Sequence, residues 1–178
     1  MTTPAVFTTE RLVARHLGPA DAAALLAVYG DAEVVRWVGD GKPLTPELCE
    51  QWVSVTRRNV ETRGYGMVAL ALRQPSAAKE VVLVGFAGLV HPGGQVQAEI
   101  KYAFARPYWG RGYATEAARG LLDYGRREFG LREVVATAAP ENLASHHVLR
   151  KAGLADAGLR RNDDGSLTQC FAWRAGDA

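Results

Sequence analysis

The chain has only two cysteines, Cys49 and Cys170, in 178 residues. They fall in no C-x-x-C or Cys/His spacing, so neither a disulfide framework nor a thiolate metal site is indicated, and a reducing, cytoplasmic setting is expected. Long apolar runs are missing as well. No stretch approaches the ~18 residues of a membrane-spanning helix, and the start of the chain has no apolar signal segment, so neither secretion nor a membrane partner is expected. Runs of like charge are absent, and 21 Lys+Arg against 19 Asp+Glu leave a net charge of +2. That balance argues against nucleic acid as the main partner, although a local basic patch for phosphates is compatible with it. No H-E-x-x-H occurs. His146 and His147 are neighbours on a helical pattern and diverge, so no metal is expected, and His91 beside a turn reads as solvated. Repeats and low-complexity linkers are lacking too. The remaining composition, 48% hydrophobic and 22% charged, fits one soluble globular domain over residues 1–178.

Hydrophobic periodicity divides the chain into short elements. Residues 6 to 17 read as a first strand, broken by Gly18-Pro19. Asp21 is placed to cap an alanine-rich helix through Tyr29, and a short helix follows over Asp31 to Val38. Thr45-Pro46 opens a third helix, with Glu47 and Glu50 early and Arg57, Arg58 and Arg63 late, as the helix dipole favours. Its inward residues are expected to be Leu48, Trp52, Val55 and Val60. Tyr65 to Arg73 and Val81 to Val90 read as strands joined by a polar loop at Gln74 to Glu80. After the His91-Pro92-Gly93-Gly94 turn, Val96 to Ala105 completes an antiparallel meander. A helix from Tyr113 to Gly130, a buried strand from Val134 to Ala139, and a helix capped by Asn142 and stopped by Gly153 follow. Leu154 to Arg161 and Thr168 to Arg174 then flank an Asn162-Asp163-Asp164-Gly165 turn, a hairpin signal. The fold class expected is α/β: a mostly antiparallel mixed sheet, helices on both faces, and one central strand–helix–strand crossover.

The stretch around Gly110-Arg111-Gly112 organises the rest. A strand, a glycine turn and a helix start aim free backbone N–H groups at one point, and the partial positive charge there suits a diphosphate. Ala114, Ala117, Ala118, Leu121, Leu122, Gly125 and Phe129 form one apolar face, small enough to lie close to a sheet. A P-loop needs Lys-Ser or Lys-Thr after its last glycine, and Tyr113-Ala114 stands there instead. A dinucleotide fingerprint needs a small residue where Thr115 stands and an acid at the end of the next strand, whereas Glu133 opens it.

Trp109-Gly110-Arg111-Gly112-Tyr113-Ala114-Thr115-Glu116-Ala117, Pro140-Glu141-Asn142-Leu143-Ala144-Ser145 and Val148-Leu149-Arg150-Lys151-Ala152-Gly153-Leu154 together resemble the GNAT acyl-CoA N-acyltransferases. The branch is that of the RimJ/RimL-type N-terminal acetyltransferases, and Glu10-Arg11-Leu12, Arg36-Trp37-Val38-Gly39 and Trp52 look like it too. The likeness covers most of the chain. It implies an acetyl-CoA-dependent N-acetyltransferase acting on a primary amine of a protein, a peptide or a small molecule, as monomer or homodimer. The rival is a catalytically silent acyl-CoA-binding module.

Carried over residue by residue, the resemblance implies that backbone N–H groups of Gly110, Arg111, Gly112, Tyr113, Ala114 and Thr115 hold the pyrophosphate. The family commonly opens this motif with Gln or Arg where Trp109 stands here. Phe104 and Ala105 are expected to pair with the pantetheine arm, and Asn142 to reach that arm or simply cap its helix. Many family members place a proton-donating tyrosine where Leu149 stands. Ser145 is therefore the candidate partner of the leaving sulfur, its alternative being a local backbone contact. Glu99 is the candidate base, and its alternative is a same-face pair with Lys101, where the branch often has glycine. Trp37 and Trp52 are candidates for the acceptor-pocket wall, or else for buried core.

Overall fold

The computed structural model describes residues 4–73 and 81–176, so the expected loop at Gln74 to Glu80 lies outside the described residues. The first expected strand divides into β1 (Ala5–Thr8) and β2 (Leu12–His16), an antiparallel hairpin. The break lies at Thr9, whose Oγ1 accepts from Leu12 N–H at 3.1 Å while its own N–H donates to Leu12 O at 2.9 Å. Alternation alone does not show such a turn, because Thr is also a good strand residue.

Helices α1 (Ala22–Tyr29), α2 (Ala32–Val35) and α3 (Pro46–Arg63) come next, followed by β3 (Met67–Leu72), β4 (Leu83–Val90) and β5 (Ala98–Phe104). Then come α4 (Tyr113–Phe129), β6 (Glu133–Ala138), α5 (Leu143–Ala152), β7 (Ala155–Arg161) and β8 (Leu167–Arg174). Among the described residues eight strands form one sheet in the order β1-β2-β3-β4-β5-β6-β8-β7, and only the β5/β6 pair is parallel. α4 makes that crossover, as a parallel pair requires. The closing β7–β8 hairpin turns at Asn162 to Ser166, with Gly165 in the left-handed region at φ 83°.

The sheet has a core on each face. On one face α4 and α5 cover Leu12, Leu70, Val84, Leu89, Ile100, Phe104, Val134 and Phe171 with Ala117, Ala118, Leu121, Leu122 and Leu149. Burying each of the leucine, isoleucine, valine and phenylalanine side chains contributes roughly 1.5–3 kcal/mol. A Cβ on Gly125 would stand 2.9 Å from Leu89 Cδ1, so glycine there lets α4 settle onto β4. On the other face α1, α2 and α3 pack Leu25, Val28, Tyr29, Val35, Cys49 and Val53 against Ala69, Phe86 and Ala103.

The buried face of α3 differs from the expected one. Leu48 and Val55 are 39% and 54% exposed, whereas Cys49, Val53 and Thr56 are buried. Spacing 49, 53, 56 is the i, i+4, i+7 stripe facing the sheet. The small side chains of Cys and Thr fit this close contact, and an assignment that favours the largest hydrophobes misses them. β5 begins at Ala98, and Val96 lies out in solvent. α2 ends at Val35, short of the expected Val38. His91 is not merely solvated: its ring shares hydrogen bonds of 2.9 Å with Tyr65 Oη and with Gln95 O.

Candidate active site

β5 and β6 pair as neighbours only at Ala98↔Val134 and Glu99↔Val135. Beyond that point β5 stays on β4 as far as Phe104, and β6 stays on β8 as far as Ala138. The two strands therefore part, and the sheet opens between them. Ala105 N–H donates to Val84 O at 2.9 Å, which makes Phe104 opposite Gly85 a non-hydrogen-bonded pair. By antiparallel alternation the peptide groups of Phe104 and Tyr102 turn away from β4, toward the opening. The Phe104 carbonyl accepts the Trp109 indole N–H at 2.6 Å, and the Phe104 N–H faces the gap. Ala105 differs from its neighbour. Its N–H goes to Val84 and its carbonyl accepts Tyr108 N–H at 2.9 Å, so of the expected pair only Phe104 offers a free backbone group.

The glycine turn stands at the end of this opening. Gly110 and Gly112 have φ of 70° and 81°, a region that side chains with a Cβ rarely enter. Gly112 is the N-cap of α4, and among the described residues no side chain caps that helix. Among the described residues the backbone N–H groups of Gly110, Arg111, Gly112, Tyr113, Ala114 and Thr115 find no acceptor. A Cβ at Gly110 would meet nothing within 4 Å, so the approach to these donors is open. Such a constellation binds an anion without any charged side chain.

Arg11 holds the turn in place, a role the sequence pattern alone does not show. Its Nε meets Glu116 Oε2 at 2.7 Å, its Nη1 donates to the Arg111 carbonyl at 2.9 Å, and its guanidinium lies 4.5 Å from the Tyr113 ring centroid. Thr9 Oγ1 completes the lock on Glu116 at 2.5 Å. Burial raises the Glu116 carboxyl, but the hydrogen bonds from Thr9 and Arg11 outweigh it and hold the group below its usual range. Arg111 is exposed, its guanidinium 6.0 Å from the Tyr108 ring centroid.

Two polar groups flank the opening, one on each face of the sheet. Glu99 and Lys101 share the face of Ala103, which packs under α1–α3, and the alternation of β6 puts Thr137 on that face too. Glu99 is 3% exposed and accepts from Lys101 Nζ, from Thr137 Oγ1 at 2.5 Å and from Gln95 Nε2 at 3.2 Å. The pairing with Lys101 is thus formed, and Lys101 also donates to Thr137 at 3.2 Å. On the opposite face Tyr102 packs with the α4/α5 core, and its hydroxyl meets Ser145 Oγ at 2.7 Å. Burial pushes the Tyr102 phenol up to about 12, against the lowering effect of its Ser145 contact. Asn142 caps α5, its Oδ1 accepting Ser145 N–H at 3.2 Å, which leaves its amide N–H groups for another partner. Leu149 is buried in the core.

Trp52 is half-buried, its ring centroid 5.1 Å from that of Tyr29 in an edge-on contact. Trp37 is 42% exposed beneath the Arg36 guanidinium at 5.0 Å, so it is not a core residue. Arg106, just past β5, binds Asp31 at 2.6 Å and ties the start of α2 to this end of the site. Tyr102, Thr137 and Arg11 were not legible as site residues because each acts through a partner at least 36 positions away.

Comparison with known proteins shows the family of the chain. The model of the acetyltransferase (GNAT) domain matches residues 11–155. The Bacillus subtilis protein YkkB, itself uncharacterized, is 34% identical over 149 residues, covering 82% of this chain and 83% of its own. Among solved structures, a GNAT-family acetyltransferase from Bacillus anthracis superposes with a TM-score of 0.77 at 26% identity, covering 94% of this chain and 96% of that one. The ribosomal L7/L12 α-N-protein acetyltransferase RimL, solved in complex with coenzyme A, shares the fold with a TM-score of 0.80 at 17% identity, covering 98% and 100%. The chain belongs to the GNAT acetyltransferases and is an N-acetyltransferase.

Proposed function

We propose that the protein transfers the acetyl group of acetyl-CoA to a primary amine, by direct attack of the amine on the thioester in the opening between β5 and β6. The amine is an N-terminal α-amine of a protein or peptide, or a small-molecule amine. The observation that carries this reading is the free edge of β5, continuous with the uncapped start of α4. The N–H groups of residues 110–115 suit a pyrophosphate, and the Tyr102 and Phe104 peptides suit an extended amide chain pairing as an added strand. RimL, solved with coenzyme A, has the same fold. Free thiols at Cys49 and Cys170 are consistent with work in the cytoplasm.

In this reading the neutral amine forms the new N–C bond, and the carbonyl electron pair moves to oxygen under the N–H groups of the β5 edge. The C–S bond then breaks, and the sulfur leaves toward Ser145. Glu99 lies on the acceptor face and takes the amine proton, with the amine replacing Lys101 Nζ on the carboxylate. Trp37 and Trp52, with Arg106 and Asp31, bound the acceptor approach. The test is acetyl-CoA turnover against a panel of amines, read as thiol release and as product mass. Amine-dependent thiol release with one acetyl added per amine supports the reading. Coenzyme binding without turnover of any amine would overturn it.

A further inference from the structure

The Tyr102–Ser145 contact spans the opening: Tyr102 is on β5, and Ser145 is in the first turn of the helix that follows β6. Its 2.7 Å length admits either oxygen as donor. The Tyr102 hydroxyl also lies 3.5 Å from the Ser145 carbonyl, a far longer contact, and three features favour Tyr102 as the donor to Ser145 Oγ. The Ser145 N–H is already committed to Asn142 Oδ1, so the hydroxyl is the group of Ser145 left for chemistry. The Tyr102 ring is packed in the α4/α5 core, which fixes the place of its oxygen. Burial raises the phenol to about 12, so it keeps its proton at every physiological pH. Both hydroxyls are protonated, but a phenol O–H is the more acidic and so the stronger donor, and a serine oxygen that accepts from it must send its own hydrogen elsewhere.

We propose that Tyr102 is a positioning residue for thiolate departure: its hydroxyl donates to Ser145 Oγ and thereby turns the Ser145 hydrogen toward the opening, where the leaving sulfur accepts it. The inference rests on the reading of the opening as the acetyl-CoA site. As the C–S bond breaks, its electron pair passes to sulfur, which is met by the O–H of Ser145. Neither hydroxyl loses its proton, because the alkoxide and phenolate that would result are more basic than a thiolate, an ordinary cysteine thiol having a pKa of about 8.5. The proton released by the amine goes to the acceptor side, and the thiolate is protonated by solvent after release. The pair thus acts as a two-step hydrogen-bond donor that strengthens as charge develops on sulfur.

The test is a double-mutant cycle on the full chain with acetyl-CoA and an accepted amine, using Tyr102→Phe, Ser145→Ala and the double variant. Tyr102→Phe keeps the packed ring and removes only the hydroxyl. Its kcat should fall about tenfold at unchanged coenzyme Kd and thermal midpoint, the pattern of an interaction made in the transition state. In the Ser145→Ala background the same substitution should cost nothing further, which a merely structural tyrosine would not show. Ser145→Thr should retain the Tyr102 dependence. A Tyr102→Phe kcat within twofold of the parent, or losses that multiply in the double variant, would overturn the inference and leave the acetyl-CoA reading intact. A parent protein that acetylates no amine would sink the underlying reading, and this inference with it.

Discussion

Arg11 and Glu116, 105 positions apart, meet at 2.7 Å, and through them the β1–β2 hairpin grips the first turn of α4. The same arginine holds the Arg111 carbonyl, so it fixes the backbone whose N–H groups face the opening. Arg11→Ala should leave the fold intact and raise the Kd of coenzyme A about tenfold, equal to ~1.4 kcal/mol. Calorimetry checks this. An unchanged Kd would reduce the pair to a surface staple.

At Gly112 the backbone itself is the constraint. Its φ of 81° is hostile to a β-branched residue, and a Cβ there would stand 3.4 Å from Arg11 Nη2. Gly112→Val should therefore weaken coenzyme binding by more than tenfold, with strain of roughly 1–3 kcal/mol. Gly130 has φ 63° at the other end of α4 with nothing near its Cβ position. Gly130→Ala carries comparable backbone strain, and its coenzyme Kd should match the parent.

Glu99 is tested by Glu99→Gln, which keeps the size of the side chain. As the acceptor of the amine proton, its loss should lower kcat roughly 100-fold, partly recovered as pH rises and more amine arrives neutral. The measurement is a pH series on both proteins. A fall of a few-fold with an unchanged profile would make Glu99 a structural partner of Lys101 and Thr137.

Much of this was legible in the sequence, for local reasons. The turns at Gly110-Arg111-Gly112 and Asn162 to Gly165, the caps at Thr45 and Asn142, and the small-residue face of α4 are all set within a few residues of themselves. The parts that were not legible depend on partners remote in sequence. Thr9 ends β1 because its backbone and hydroxyl close onto Leu12 and its hydroxyl also reaches Glu116. Tyr102 looks like any strand aromatic until α5 brings Ser145 to it. The α3 stripe through Cys49, Val53 and Thr56 depends on which face meets the sheet, a tertiary fact.

Asp21 makes a pH-dependent contribution to stability. Its carboxylate is buried and takes both Arg15 guanidinium contacts at 2.7 Å and Gly18 N–H at 2.7 Å. Burial raises its pKa, but the Arg15 and Gly18 hydrogen bonds outweigh that and hold it below the usual range. A depressed folded pKa means the contribution is complete above the unfolded value, about 3.9, and is lost as pH falls through the lower folded one. Asp21→Asn should cost roughly 3 kcal/mol at pH 7, the low end for removing one partner of a buried pair. Denaturant melts at pH 7 and near pH 3 check this, and the difference between parent and variant should shrink at the lower pH.

The most direct measurement is residue-resolved amide hydrogen exchange with and without coenzyme A. The amides of Tyr102, Phe104 and residues 110–115 should slow on binding, because they face the opening without partners. Ala105, already bonded to Val84, should not change. Protection confined elsewhere, such as the groove lined by Arg119, Arg126 and Arg174, with the glycine turn still exchanging freely, would contradict the account.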